Sequence, residues 1–524
     1  MGFIRRHRAP AAVIAVVSMM ALVLAACSSP KAPAAAKARL PLHLGLSGPW
    51  DWPTYGHDAQ HTFDGRTTLT EASVRTLKKA WFFRTGDAVT ATPTVVDGSV
   101  FVGSWDDYFY AVNLETGKLE WKTRLKSQNG VQPYPGEKHR DDSSDGGLVT
   151  SSASYQPPGD GRPPLVIFGA GYTLYALNAD TGSVYWEHDY PGRLPEDPNT
   201  DNTRIVSSPV VADGLVLFGM DVDGQADSHG FVVGASLATG DPVWEFQTDV
   251  ATPEGPVLND GCGNVWSSGT VLPALGLAVY GTGDCDFTND GPYAIAILAF
   301  HISTGQLAWV YKPQLPDLDC DWDFGATANA GINAQGDAHF LGEGGKDGTY
   351  YSLDPATGQL RWATNVVFGG FSGGFIATTA YDGQRVYGAT AVGDFGRFES
   401  NGNQVCDPKN PRDTAAQNPT DHAFDAATGA VVWQNDTTSS FAPTTVAGSM
   451  TFNGLALVNQ AIQVRSATTG RLLKQVELPV ANWSGIATVG DALVFGVGTT
   501  YSATPAGIEV LTPGGRPPII PRTQ

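Results

Sequence analysis

The sequence predicts an all-β protein, an eight-bladed β-propeller of four-stranded antiparallel blades whose ring is closed by the N- and C-terminal strands. Three observations support this fold class. A Thr-Gly pair with Trp four residues after the glycine recurs along the chain. Gly and Pro are abundant, at 62 and 35 residues, and no long helical period follows the N-terminus. Recurring units that are rich in tight turns are typical of propellers.

The Thr-Gly-Trp repeat occurs six times, and a seventh copy carries Lys474 at the Trp position. Because one Trp recurs at the same place in each unit, we expect it to pack between neighbouring blades, and we assign these side chains no chemistry. The repeated residues are Trp121, Trp186, Trp244, Trp309, Trp362 and Trp433.

Each repeat is interpreted as four strands. In the first repeat these are residues 92–96, 99–103, 108–113 and a strand that begins at Leu119. Asp97-Gly98 separates the first two and is a dipeptide favoured in tight hairpin turns, where positive φ is needed.

The two chain ends leave partial repeats. Residues 485–496 and 507–512 resemble an eighth repeat without its outer strand, and residues 79–84, with Trp81, resemble an outer strand without a repeat. Pairing them would remove both free sheet edges. We therefore predict eight blades; the alternative is seven blades with loose tails.

The first residues are interpreted as a targeting segment. A basic stretch at Arg5–Arg8 precedes an apolar run that ends at Leu24-Ala25-Ala26-Cys27, which resembles a bacterial lipoprotein signal with Cys27 as the lipidated residue. The alternative is an ordinary signal peptide. We expect a protein exported and lipid-anchored to the outer face of the bacterial cell membrane. The predicted segments are a signal peptide (1–26), a flexible tether (27–48), the propeller (49–515) and a tail (516–524).

Charge and cysteine content restrict the partners and the environment. The formal net charge of −20 opposes binding to nucleic acid, whose phosphates would be repelled. Beyond Cys27, four cysteines are expected to form two disulfides in an exported protein, with three possible connectivities. They are Cys262, Cys285, Cys320 and Cys406.

Long insertions are predicted on one face of the ring, where binding residues concentrate on loops carried by a rigid scaffold. They fall after the fourth strand or between the second and third, at residues 122–150, 187–206, 245–265, 310–328 and 393–423.

An acidic stretch lies in one of these insertions. Asp317, Asp319, Asp321 and Asp323 alternate with other residues. Crowded carboxylates raise one another's pKa or require a cation, and their oxygens suit Ca²⁺. The alternative is a solvated acidic loop.

The repeats resemble the PQQ repeat of quinoprotein alcohol dehydrogenases over roughly residues 50–515. Trp322-Asp323-Phe324 resembles that family's Trp-Asp-aromatic motif, which implies Asp323 as the catalytic base. Gly345-Lys346-Asp347-Gly348 resembles the turn that places a cation on the quinone oxygens, and Asn264-Val265-Trp266 resembles the site of the Trp beneath the cofactor.

The resemblance also implies a calcium site. Gly281-Thr282-Gly283-Asp284 is similar to a Gly-x-Gly-Asn turn whose Asn binds calcium, so Asp284 is the expected ligand there, with Asp323 beside it. The family's third ligand is a Glu, which is missing from residues 221–227; Asp221 or Asp223 is the expected substitute. The family's disulfide between adjacent cysteines is absent. Trp52-Pro53-Thr54-Tyr55-Gly56-His57-Asp58 is similar to the start of polyvinyl-alcohol dehydrogenase-type proteins.

The resemblance implies an extracytoplasmic dehydrogenase that oxidises alcohol groups of a small molecule or polymer with PQQ and Ca²⁺. Electrons would pass to a separate, external acceptor. The alternative is a non-enzymatic propeller lipoprotein used for binding or envelope assembly, because assembly lipoproteins share the repeat. Convergence of Trp266, Asp284, Asp323 and Lys346 at the ring axis would distinguish the two.

Overall fold

The structure is a computed structural model that describes most of the chain after the N-terminal segment. The described residues are 48–126, 149–159, 161–190, 204–221, 230–250, 263–284, 291–315, 320, 322–370, 373–391, 419–436, 440–455, 460–499 and 502–521. Within these ranges, no helix has the length and apolar character needed to cross a bilayer. Cys27, the predicted signal peptide and the predicted tether up to residue 47 lie outside the described residues.

The described chain forms an eight-bladed propeller of four-stranded antiparallel sheets, so the predicted fold class is confirmed. Before the first complete blade come a short strand β1 (Asp64–Gly65), a 3₁₀ helix η1 (Ser73–Thr76) and a long strand β2 (Leu77–Arg84).

Blades 1 to 4 follow the predicted order, and each sheet pairs its strands in sequence. Their strands are, for blade 1, β3 (Thr94–Val96), β4 (Ser99–Gly103), β5 (Tyr108–Asn113) and β6 (Leu119–Arg124); for blade 2, β7 (Ser154–Gln156), β8 (Leu165–Ala170), β9 (Thr173–Asn178) and β10 (Val184–Asp189); for blade 3, β11 (Val210–Ala212), β12 (Leu215–Met220), β13 (Phe231–Ser236) and β14 (Pro242–Gln247); and for blade 4, β15 (Thr270–Leu272), β16 (Leu277–Gly281), β17 (Ile297–His301) and β18 (Leu307–Tyr311).

Blades 5 to 8 complete the ring. Their strands are, for blade 5, β19 (Asn329–Ile332), β20 (Ala338–Gly344), β21 (Thr349–Leu353) and β22 (Leu360–Asn365); for blade 6, β23 (Ala380–Tyr381), β24 (Arg385–Ala389), β25 (Asp421–Asp425) and β26 (Val431–Asn435); for blade 7, β27 (Thr445–Ala447), β28 (Met450–Gly454), β29 (Ala461–Ser466) and β30 (Leu472–Glu477); and for blade 8, β31 (Ala487–Val489), β32 (Ala492–Thr499) and β33 (Ser502–Pro513), with β2 as its outer strand.

The ring closes as the sequence predicts. β2 pairs antiparallel with β33, so the N-terminal strand supplies the outer edge of the C-terminal blade. The seven-bladed alternative is thereby excluded. Blade 7 differs in one respect from the prediction, because β1 adds a short parallel strand beside β27.

The repeated Trp joins each blade to the next, which confirms its predicted packing role. Trp121, for example, donates its indole N–H to the Ala179 carbonyl of blade 2 at 2.9 Å. The glycine of the next Thr-Gly turn, Gly182, lies against that ring with φ of +73°, and a Cβ there would stand 2.4 Å from it. Equivalent indole bonds to the next blade are made by Trp81, Trp186, Trp244, Trp309, Trp362 and Trp433.

The interface between blades 7 and 8 lacks this indole, because Lys474 replaces it. Apolar side chains of the N-terminal segment pack there instead: Leu69, Val74 and Leu77 join a cluster with Leu473 of blade 7 and Leu511 of blade 8. The N-terminal segment thus fills the one interface at which the repeat loses its Trp.

The N-terminal segment also runs around the inner strands of the ring. Trp52 pairs with Val95 in blade 1, and backbone carbonyls further along accept N–H bonds from blades 2, 4, 5, 6 and 7. The backbone N–H groups of the blades donate to carbonyls of this segment in five pairs: Tyr155 to Pro53, Val271 to Ala59, Ala330 to Gln60, Tyr381 to Thr62 and Val446 to Phe63. We name residues 52–65 the inner collar.

A glycine lies at or near the end of the second strand of each blade, and in most blades a side chain that precedes the next blade packs against it. A Cβ on Gly103 would lie 2.0 Å from Val149, and one on Gly169 would lie 2.4 Å from Ile205. The residue before this glycine is apolar or aromatic in six blades and amide-bearing in a seventh: Val102, Phe168, Phe218, Tyr280, Tyr387, Phe495 and Asn453. In blade 5 that position is Glu343.

Glu343 is a buried carboxyl group without a hydrogen-bond partner on either oxygen within the described residues. Its side chain is 1% exposed. Burial raises the pKa of Glu343 well above the ordinary glutamate value, because the charged form would lose its hydration. The neutral acid is therefore the form that the fold accommodates.

We predict that Gly240→Ala destabilises the ring far more than Gly98→Ala. Both glycines have positive φ, +78° and +80°, but a Cβ on Gly240 would lie 2.7 Å from the Trp186 ring, whereas nothing lies within 4 Å of one on Gly98. Left-handed backbone costs about 1–2 kcal/mol, and overpacking adds about 1–3 kcal/mol. Urea unfolding followed by circular dichroism measures both losses; equal losses would refute the role of the Trp-glycine contact.

We predict that Glu343→Gln is more stable than the wild type above neutral pH. Because the folded pKa of Glu343 is raised, its favourable contribution is complete below the ordinary glutamate pKa and is lost as pH rises towards the folded value. The advantage of Gln should grow by up to about 1.4 kcal/mol per pH unit in that window. Urea unfolding between pH 4 and pH 9 tests this, with the exposed Glu477→Gln as control. An advantage that does not vary with pH would contradict it.

Candidate functional site

Four residues singled out in the sequence lie at the same end of the ring. Trp266 precedes β15, Asp284 follows β16, Asp323 precedes β19, and Lys346 lies in the turn between β20 and β21. In a four-stranded antiparallel blade, the connections into the first strand and between the second and third strands emerge on one face. Blades 4 and 5 therefore place all four residues together.

An ion pair stands at the centre of the group. The Lys346 ammonium donates to Asp323 Oδ2 at 2.9 Å, and both side chains are less than a tenth exposed. The Asp284 backbone N–H donates to Asp323 Oδ1 at 2.7 Å. Lys346 Nζ also lies 5.9 Å from the centre of the Trp266 ring. Both carboxylate oxygens of Asp323 are thus held by named donors.

Backbone hydrogen bonds between the connecting segments keep the group in register. The Lys346 N–H donates to the Asp323 carbonyl at 2.9 Å, and the Phe324 N–H donates to the Thr282 carbonyl at 3.0 Å. The Gly283 N–H donates to the Asn264 carbonyl at 2.7 Å. The positions of the side chains therefore follow from main-chain pairing across the boundary of blades 4 and 5.

Glycines make room for these side chains. A Cβ on Gly325 would stand 1.7 Å from the Trp266 ring, so the indole lies directly against that backbone. Cβ atoms on Gly369 and Gly374 would stand 1.5 and 2.3 Å from the Lys346 carbonyl oxygen. The glycine-rich loop after blade 5 thus packs on the Lys346 backbone, while Phe371 and Ser372 within it lie outside the described residues.

Two functional candidates in this region were missed by the sequence reasoning. Asn264 Oδ1 is buried without a hydrogen-bond partner among the described residues. A Cβ on Gly283 would stand 3.0 Å from Asp323 Oδ1 and 3.2 Å from the Asn264 Cβ. Asn264 and Asp323 therefore both lie close to the Gly283 backbone. The second candidate is Glu343. A Cβ on Gly281 would stand 2.2 Å from Glu343 Oε1 and 2.4 Å from the Phe324 carbonyl oxygen. A carboxyl group whose pKa is raised by burial therefore lies beside the segment that carries Asp323.

The oxygen atoms of this group fit a hard cation. Asp284 and Asp323 supply carboxylates, and the unpartnered Asn264 oxygen is a carbonyl donor, which are the ligand types that Ca²⁺ prefers. Over the described residues, no cluster of three or more His, Cys, Asp or Glu side chains suited to a metal ion is found. Asp223, the expected third ligand, lies outside the described residues, whereas Asp221 is described and pairs with Arg204 in an isolated bridge.

Cys320, two residues before Trp322, is in a disulfide bond. Cys262, Cys285 and Cys406 lie outside the described residues, so the connectivity stays a prediction. The Trp322 indole N–H donates to the Gly369 carbonyl at 3.3 Å. The segment that carries Asp323 is thereby fixed both covalently and by the loop after blade 5.

The chain matches two family models. Residues 52–366 match the model described as "Glucose/ethanol/alcohol dehydrogenase, beta-propeller domain". Residues 346–500 match the model described as "Outer membrane protein assembly factor BamB".

Several curated proteins are similar over much of the chain. Quinohemoprotein alcohol dehydrogenase ADH-IIG of Pseudomonas putida is 26% identical over 61% of this chain and 46% of that protein. A polyvinylalcohol dehydrogenase of Pseudomonas sp is 24% identical over 66% of this chain and 55% of that protein. A second polyvinylalcohol dehydrogenase, from Sphingopyxis sp. (strain 113P3), is 24% identical over 84% of this chain and 76% of that protein. The chain spans about half the length of the first two relatives.

Solved structures share the fold. The quinohemoprotein alcohol dehydrogenase from Comamonas testosteroni has a TM-score of 0.67 at 17% identity, covering 90% of this chain and 82% of that one. A europium-containing methanol dehydrogenase has a TM-score of 0.68 at 18% identity, and the match covers 89% of this chain and 98% of that one. The first family model spans more than half of the chain. The chain therefore belongs to the PQQ-repeat β-propeller family of the glucose, ethanol and alcohol dehydrogenases.

Proposed function

We propose that this protein is a PQQ-dependent dehydrogenase that oxidises alcohol groups, with calcium at the same site. The observation that carries the proposal is the buried Asp323–Lys346 ion pair beside Trp266. Family membership makes an oxidoreductase the natural reading of this arrangement. A propeller used only as a scaffold has no need to bury a carboxylate and an ammonium next to a partly exposed indole.

Asp323 is the group placed to accept the alcohol proton. Its Oδ1 is fixed by the Asp284 N–H and its Oδ2 by Lys346, so the carboxylate cannot turn away from the site. When bound, PQQ supplies the acceptor for the hydride equivalent. The alcohol proton then passes to an Asp323 oxygen, and general-base assistance of this type typically contributes 10²–10⁴-fold.

Lys346 and Trp266 are proposed to hold the cofactor. The Lys346 ammonium would stabilise negative charge on a quinone oxygen, and its burial strengthens that interaction because water does not screen it. Trp266 offers a flat aromatic face. Its position depends on Gly325, since any side chain there would displace the ring.

Asp284, Asp323 and Asp223 are the proposed calcium ligands, and we add the Asn264 carbonyl oxygen to this set. The addition rests on the buried, unpartnered state of that oxygen among the described residues. A calcium ion would supply Lewis-acid polarisation of the cofactor carbonyl.

We further propose an exported protein, anchored through Cys27 to the outer face of the bacterial cell membrane. It would act on an alcohol-bearing small molecule or polymer and pass electrons to an external acceptor. The lipoprotein-type sequence around Cys27 supports the location. Similarity to polyvinylalcohol dehydrogenases supports the polymer as a substrate class. The net charge of −20 argues against nucleic acid as a partner.

A second candidate function is a non-enzymatic scaffold for binding or envelope assembly. The match of residues 346–500 to the assembly-factor model favours it. That stretch includes Lys346 but neither Asp323 nor Trp266, so the ion pair distinguishes the two candidates.

We predict that Asp323→Asn reduces alcohol oxidation at least ~100-fold without unfolding the protein. The amide cannot accept the alcohol proton, yet it keeps the size and one acceptor oxygen of the carboxylate. Dye-linked oxidation of primary alcohols and of polyvinyl alcohol, with PQQ and Ca²⁺ added, measures the effect, and circular dichroism checks the fold.

The matched control is Asp354→Asn, which breaks the surface pair with Arg361 in a turn on the opposite face of blade 5 and should keep wild-type turnover. Undiminished turnover in Asp323→Asn would overturn its role as the base. A folded wild type that binds neither PQQ nor Ca²⁺ would favour the scaffold.

A further inference from the structure

All eight blades contribute residues to the wall of a cavity of about 170 Å³. The cavity therefore lies on the axis of the ring. The contributing residues come just before the first strand of each blade, and Tyr55 of the inner collar also lines it. Trp266 belongs to this wall, but Asp323, Lys346 and Asp284 do not. The ion pair therefore lies outside the cavity wall, and Trp266 is the side chain that the cavity shares with the candidate site.

Five hydroxyl groups form a belt around the cavity. Thr92, Ser152, Ser208, Ser268 and Thr327 all line it and are at most 5% exposed. Each hydroxyl accepts a hydrogen bond from a backbone N–H of the neighbouring blade. The Gly485 N–H donates to Thr92 at 3.0 Å, and the Thr92 N–H donates to Ser152 at 2.8 Å. The N–H groups of Ser152, Ser208 and Ser268 donate to the hydroxyls of Ser208, Ser268 and Thr327, respectively, each at 2.9 Å. We name these five residues the hydroxyl belt.

The belt keeps hydrogen-bonding capacity for a ligand. A hydroxyl group has one hydrogen to donate and two lone pairs, and the backbone N–H uses one lone pair. Across the described residues, Thr92, Ser152, Ser208 and Ser268 form no side-chain hydrogen bond other than the one they accept from the backbone. Each can therefore donate one hydrogen bond into the cavity and accept another from it.

The chemistry of the wall selects a neutral ligand. Of the described residues that line the cavity, none is an Asp, Glu, Lys, Arg or His. An ion placed there would lose its hydration without gaining a counter-charge, which is costly. Burial raises the pKa of Tyr55 to about 12, so the phenol is neutral as well.

Aromatic faces complete the wall. Trp266, Trp483 and Phe441 line the cavity with the belt, and the Phe441 and Trp483 rings meet edge to face at 5.4 Å. Aromatic faces suit C–H groups, whereas the belt suits hydroxyl groups, which both donate and accept. A molecule that carries both kinds of group on one short carbon chain matches this combination.

We propose that the axial cavity binds a short, neutral polyol. Its volume corresponds to roughly six water molecules at about 30 Å³ each, which is the size range of a three- or four-carbon polyol. The ion pair does not line the cavity, so this binding needs neither Asp323 nor Lys346, although the cavity shares Trp266 with the proposed cofactor site. The ligand displaces water and exchanges its hydrogen bonds for those of the belt.

Isothermal titration of the whole protein with glycerol and with erythritol tests the proposal, with acetate as a charged probe of similar size. We expect saturable heat with at least one polyol and none with acetate. Ser208→Ala, which removes one belt hydroxyl, should weaken binding about fivefold, as expected for one hydrogen bond. Ala377→Leu, which fills the cavity without touching the belt, should abolish it.

Asp323→Asn should bind the polyol as the wild type does, even where its turnover is lost, which separates this proposal from the catalytic one. The thermal midpoint of each variant shows whether it is folded. Absence of saturable heat in the folded wild type, or equal binding by Ala377→Leu and the wild type, would overturn the proposal and leave a cavity filled by water. Saturable binding of acetate alone would also overturn it.

Discussion

The contact between the outer-strand Trp of one blade and the Thr-Gly turn of the next sets the geometry of the whole ring. Each indole donates to a carbonyl of the following blade, and the glycine lies on the indole ring at a distance that excludes a Cβ. The contact thereby fixes both the spacing and the relative height of neighbouring blades. Because Asp323 and Lys346 come from blade 5 while Trp266 and Asp284 come from blade 4, their convergence depends on this packing.

The exceptions to the repeat have compensations elsewhere in the chain. Between blades 7 and 8, Lys474 replaces the Trp, and apolar residues of the N-terminal segment fill the interface. The same segment begins with the inner collar, which bonds to the first strands of six blades, and ends in β2, which closes blade 8. One stretch of chain thus completes the outer edge, one interface and the inner surface of the ring.

The fold was predictable because the repeat is local: Thr-Gly, Trp and Asp-Gly each mark a turn or strand within a few residues. The grouping of Trp266, Asp284, Asp323 and Lys346 was predictable from motif order in adjacent blades, although their roles remain predictions. Glu343 and the glycine contacts of Gly325, Gly369 and Gly374 were not predictable, because they depend on which side chains face each other across blades. The hydroxyl belt had a sequence signal, since Ser-Ser precedes the first strand in three blades, at 151–152, 207–208 and 267–268.

The charges around Asp323 favour a divalent cation there. Counted at formal charge, Lys346 contributes +1 and the three proposed carboxylate ligands, Asp323, Asp284 and Asp223, contribute −1 each, which leaves −2. A divalent ion would bring this sum to zero. The uncompensated site would repel a cofactor that carries carboxylates, whereas the neutralised site would not. Burial raises the pKa of Glu343 and so favours its uncharged form, which supports the proposed function, because an ionised Glu343 beside the Asp323 segment would return the site to a net negative charge.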